Sequence, residues 1–125
     1  MFWGGYFKQE RLSFSRFGKM KEFSDPRKIM LDIDRPEPIS TWEINRVFHI
    51  LGICPESIRY DRTRHGWHVV IMLPVALEKT AIVALQAILG SDPRRETLNL
   101  FRALSTVWDT FREERWNILF QYKQI

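Results

Sequence analysis

Cys54 is the only cysteine in 125 residues. One thiol cannot form an internal disulfide or a zinc ribbon of paired cysteines, so a reducing, cytoplasmic setting is expected. No apolar run approaches the roughly 20 residues that a membrane-spanning helix needs, so no membrane is expected among the partners. The apolar opening Met1-Phe2-Trp3-Gly4-Gly5-Tyr6-Phe7 is short, has no charged leader and runs into charge, which is not a signal-peptide pattern. There is no internal repeat, low-complexity segment or interior linker. Hydrophobic content of 45% beside 27% charged residues excludes a disordered or fibrous class, and the length suits one domain.

The charge is unevenly spread. Residues 1–28 hold seven Lys or Arg against three acids, so the whole formal excess of +4 lies there. Residues 1–27 read as a basic, aromatic arm ahead of a single domain at 28–125. In the arm, Lys8, Arg11, Arg16, Lys19 and Lys21 alternate with Phe2, Trp3, Tyr6, Phe7, Phe14, Phe17 and Phe23. Such a mixture suits binding of single-stranded nucleic acid, cations on phosphates and rings on bases. The competing reading is a solvated arm whose aromatic rings fold back on the core.

Local patterns predict the elements of the domain. Lys28 to Asp34 is a short apolar strand stopped by Arg35-Pro36-Glu37-Pro38. Ser40-Thr41-Trp42-Glu43 has capping-box spacing, and Ile44, Val47, Phe48 and Leu51 continue it as an amphipathic helix ending at Gly52. Ser57–Arg62 and Trp67–Leu73 read as a hairpin around the turn Thr63-Arg64-His65-Gly66. Glu78 to Leu89 is a second helix stopped by Gly90. Pro93 opens a third, with Leu98, Phe101, Leu104 or Ser105, Trp108 and Phe111 along one side, and Arg115–Tyr122 closes as a strand. The order β-α-β-β-α-α-β predicts an α+β fold, an RRM-like or ferredoxin-like split βαβ sheet with helices on one face. The right-handed crossover rule then sets the first and third strands side by side in the middle of the sheet.

Three stretches carry chemistry: Leu31-Asp32-Ile33-Asp34, Gly66-Trp67-His68-Val69-Val70, and Leu89-Gly90-Ser91-Asp92. Acids two apart on a strand share a face. Two hard cations are what nucleotidyl transfer to a 3′-hydroxyl requires, and carboxylate oxygens are the donors that Mg²⁺ or Mn²⁺ select. The candidate metal-binding and catalytic residues are therefore Asp32, Asp34 and Asp92. Arg64 and Arg102 are candidate nucleotide phosphate contacts, because a guanidinium fork fits phosphate oxygens.

These stretches, with Asn99-Leu100-Phe101-Arg102, resemble the motifs of the archaeo-eukaryotic primase and primase-polymerase superfamily over about residues 28 to 103. The resemblance implies an RRM-like catalytic sheet and a metal-dependent DNA replication nucleotidyltransferase. It also implies a role for His68 on the incoming nucleotide's phosphates. Template DNA, nucleoside triphosphates and other replication proteins, in a virus or plasmid system, would be the partners. The alternative is a non-catalytic nucleic-acid-binding replication protein on the same fold.

Simpler roles compete at each position. Asp34 can start a turn, Asp32 can pair with a hairpin arginine, and His68 can be a satisfied core histidine. Asp92 before Pro93 is a good helix N-cap. Arg94-Arg95 reads either as a phosphate clamp or as solvated charge. His65 and His68 do not share the geometry of a helical ligand pair, so zinc is disfavoured.

Overall fold

The computed structural model describes residues 20–104, 116–117 and 119–121. In chain order the elements are β1 (Met20–Glu22), β2 (Lys28–Ile33), α1 (Thr41–Ile50), β3 (Ser57–Arg62), β4 (Trp67–Met72), α2 (Lys79–Ile88), α3 (Pro93–Leu104) and β5 (Leu119–Gln121). The fold is α+β. β2, β4 and β3 form an antiparallel sheet in that order, and β1 pairs with β5 in a separate two-stranded ribbon.

Alternation sorts each strand of the larger sheet. One face carries Ile29, Leu31 and Ile33 of β2, Val69 and Ile71 of β4, and Ile58 and Tyr60 of β3. That face joins Ile44 and Phe48 of α1 and Ile82, Val83 and Leu85 of α2 in the main core. Burying each of these larger side chains contributes about 1.5–3 kcal/mol. The expected capping box starts α1: Glu43 N donates to Ser40 Oγ at 3.1 Å, and Ser40 N to Glu43 Oε1 at 3.4 Å. On the other face, Met30 and Val70 pack under Leu119 of the β5 ribbon. Glu22 of β1 accepts from Lys28 Nζ at 2.9 Å and Arg59 Nη2 at 3.0 Å, which fastens the ribbon there.

Two expectations are corrected here. β2 does lie beside β4, but in the described sheet it is an edge strand, and β4 is the middle. The C-terminal strand pairs with β1, a strand inside the stretch that sequence assigns to the arm. The free edge of β2 is occupied by side chains and one loop amide. Met30 N donates to Gln86 Oε1 at 2.9 Å and Asp32 N to Ser91 Oγ at 2.9 Å, while Met30 O accepts from Arg95 Nη1 at 3.0 Å and Asp32 O from Asp92 N at 2.7 Å. These four outward-facing backbone groups are thereby partnered, which blunts the usual hazard of an open edge.

α3 also differs from a simple amphipathic reading. Its apolar side, Leu98, Phe101 and Leu104, is exposed, whereas Glu96 and Asn99 are buried. The buried polar side meets the edge network of β2, so hydrogen bonding rather than apolar area selects the inward face. Trp108 and Phe111 lie outside the described residues.

Candidate functional site at the end of strand β2

Three of the sequence-predicted residues, Asp32, His68 and Asp92, meet at the C-terminal end of β2. The pairing register sets Asp32 opposite His68, and His68 opposite Asp61 on β3, so all three share the face away from the helices. His68 Nε2 lies 3.5 Å from Asp32 Oδ1. The histidine is buried and the aspartate half-buried, with 35% of its side chain exposed. Burial pushes the Asp32 carboxyl up, but the His68 hydrogen bond, the His68 charge and the Arg95 charge outweigh it and hold the group below its ordinary value. Asp32 is thus a carboxylate at neutral pH.

His68 does not behave as a core histidine with both nitrogens satisfied. Its Nδ1 is buried with no hydrogen-bond partner among the described residues. Nε2 is the ring nitrogen that faces Asp32 and is placed to donate to its carboxylate. Behind His68, Asp61 Oδ2 accepts from Arg59 Nε at 3.0 Å, continuing the charge row toward Glu22 and Lys28. Sequence reading passed over Asp61 as a neighbour of His68. Period-2 alternation in Ser57–Arg62, combined with the hairpin register, is the signal that finds it.

Asp92 is a helix cap and a neighbour of Asp32 together. Its Oδ1 accepts from Arg94 N at 3.2 Å and its carbonyl from Glu96 N at 3.0 Å, which starts α3. The same residue's N–H holds Asp32 O. Gly90 makes this approach possible. Its φ of 95° closes α2 with Gly90 N donating to Ala87 O and Ser91 N to Gln86 O, a Schellman ending that delivers Ser91 and Asp92 to the β2 edge.

The remaining candidates are more dispersed. β2 ends at Ile33, so alternation does not extend to Asp34, which lies exposed in the following turn. Gly66 packs against that turn: a Cβ there would lie 1.8 Å from Ile33 O and 2.9 Å from Arg35 N. The hairpin tip is thereby drawn to the end of β2, with Arg64 exposed upon it. Arg102 is half-buried in the last turn of α3, two turns or about 10 Å along the helix from Arg95. Lys21 lies in β1, while Lys8, Arg11, Arg16 and Lys19 lie outside the described residues.

Arg95 is the residue that sequence reading valued too little. Neither solvated charge nor an open clamp describes it, for it is held by Met30 O, Glu96, and Asn117 Oδ1 at 2.7 Å, whereas Arg94 is 88% exposed. Nothing in a lone Arg-Arg pair signals which member turns inward.

Among the described residues, no three His, Cys, Asp or Glu side chains form a group able to hold a metal ion. By donor type, the Asp32 and Asp92 carboxylates suit a hard cation, and Asp34 is the additional carboxylate at this end. No helix among the described residues is long and apolar enough to cross a membrane. Comparisons with family models, curated proteins and solved structures return no match.

Proposed function

We propose that the protein is a metal-dependent nucleotidyltransferase of the primase-polymerase kind, acting on nucleoside triphosphates with a nucleic-acid template. The observation that carries this reading is the setting of Asp32, with His68 3.5 Å away across the ladder and the Asp92 amide on its carbonyl at 2.7 Å. Three stretches far apart in sequence meet around one ionised carboxylate. The β2-α1-β3-β4-α2 succession is then the core of an RRM-like split βαβ sheet, its last strand displaced by the polar edge network.

In this reading Asp32, Asp92 and Asp34 hold Mg²⁺ or Mn²⁺. The cations would neutralise the triphosphate and activate the attacking 3′-hydroxyl. Asp32 presents its carboxylate at a fixed strand position. His68 donates from Nε2, and a phosphate oxygen beside Asp32 is the acceptor it suits. Arg64 lies on a mobile-length side chain at the rim, where a guanidinium meets phosphate or template backbone. A replication role in the cytoplasm, with template DNA and other replication proteins as partners, follows from the same reading.

A second reading, a non-catalytic nucleic-acid-binding protein, draws support from the absence of a three-ligand group among the described residues. The two separate in one assay. Purified protein is incubated with Mn²⁺, labelled nucleoside triphosphates and a single-stranded template, beside Asp32→Ala and Asp34→Ala. Primer synthesis or extension that both variants lose supports the enzyme. No product from the wild type, with template binding equal in all three proteins, supports the binding protein and ends the catalytic proposal.

A further inference from the structure

We infer that Arg35 is a further substrate-binding residue, a contact for the triphosphate of the incoming nucleotide; the assignment rests on the nucleotidyltransferase reading. Arg35 follows Asp34 directly, and both glycines of the other two stretches make room for it. A Cβ at Gly66 would lie 2.9 Å from Arg35 N, and one at Gly90 would lie 3.0 Å from Arg35 Nη2. The guanidinium therefore rests on the bare backbone of Gly90. Chain geometry from Gly90 keeps it within about 12 Å of the Asp92 Cα.

The charge at this position is available, which distinguishes it from its neighbours. Arg94 pairs with Asp92 at 3.7 Å, and Arg95 is spent in the edge network. Arg35 is exposed and makes no ion pair or side-chain hydrogen bond among the described residues, although Asp32, Asp34 and Asp92 all lie at this end of the sheet. An exposed guanidinium that pairs with none of the carboxylates at this end of the sheet is suited to an anionic ligand such as a polyphosphate, whose oxygens its fork fits. Template phosphate offers the same chemistry from another source. The seat on Gly90, on the loop that leads to Asp92, favours the triphosphate.

The test measures equilibrium binding of a fluorescent nucleoside triphosphate with Mn²⁺, and of a labelled single-stranded oligonucleotide, by anisotropy. The proteins are wild type, Arg35→Ala, Arg35→Lys and Arg46→Ala, the last removing an equal charge from the exposed face of α1. Arg35→Ala should weaken triphosphate binding at least about tenfold with unchanged melting temperature and oligonucleotide affinity within about twofold. Arg35→Lys should fall between, because it keeps charge and loses the fork. Arg46→Ala should match wild type. Equal triphosphate affinity in wild type and Arg35→Ala overturns the assignment while leaving the proposed function intact, as does a loss confined to the oligonucleotide. A wild type that binds no triphosphate overturns both.

Discussion

Two polar clusters meet at β2, and their hydrogen bonds are arranged in opposite ways. On the strand's free edge, Gln86, Ser91, Arg95, Glu96, Asn99 and Asn117 bond to one another and to the backbone. Gln86 Nε2 donates to Glu96 Oε1 at 2.7 Å, Ser91 Oγ to Glu96 Oε2 at 2.7 Å, Asn99 Nδ2 to Glu96 Oε1 at 3.1 Å, and Asn117 Nδ2 to Gln86 Oε1 at 2.9 Å. On the strand's face, Asp32 and His68 make one long contact, and His68 Nδ1 has no partner among the described residues. The first cluster is closed, and a closed buried network fixes structure because every broken bond leaves a desolvated group behind. The second is open to solvent at Asp32 and, among the described residues, unpartnered at His68 Nδ1. Polarity at β2 thus divides into a part that holds the strand and a part that the strand holds out.

Breaking the closed cluster should have the largest effect. Glu96→Ala strands the Arg95 guanidinium in a buried site and should cost about 3–5 kcal/mol, read by chemical denaturation. An effect below about 1 kcal/mol would mean that the network does not hold the edge. Gly66→Ala comes next, since its Cβ must displace the Ile33 carbonyl. It should cost about 1–3 kcal/mol in the same measurement and disturb the Asp32–His68 pairing. Ser91→Ala, which leaves the Asp32 amide without its acceptor, should cost about 1–3 kcal/mol.

The open cluster should show the reverse balance. Asp32→Asn should change stability by less than about 1 kcal/mol, because its contact with His68 is partly solvated. It should lower nucleotidyl transfer at least about a hundredfold under single-turnover conditions. Equal losses of stability and activity would remove the distinction between the clusters.

Acid sharpens the comparison at the ribbon. Lys28 and Arg59 overcome burial and hold the Glu22 carboxyl below its ordinary value of 4.5. A lowered folded-state pKa means that its contribution is complete above about 4.5 and is lost as pH falls through the folded value. Stability should therefore decline on the acid side, and Glu22→Gln should flatten that part of the profile. The smallest change belongs to Phe101→Ser on the exposed side of α3, within about 0.5 kcal/mol of wild type. A loss of several kcal/mol there would show that this side is covered.

Local structure was legible because its causes are local. The apolar run from Lys28 to Asp34 with the prolines after it, the Ser40 and Glu43 spacing, the turn at Gly66 and the stop at Gly90 each act within a few residues, and the observed boundaries follow them closely. The cap role of Asp92 was equally readable from Asp-Pro. Asp32 beside His68 required the further step of strand order, which the crossover rule supplied.

The sequence by itself determined the strands and helices from β2 to the start of α3, and which acids and histidine they carry. Tertiary structure decided what meets the free edge of β2, which side of α3 turns inward and where the last strand pairs. Those outcomes depend on satisfying buried polar groups through residues far apart in the chain, as Asn117 does for the side chains of Gln86 and Arg95. No local period encodes such a partnership. It exists only once the chain has closed around it.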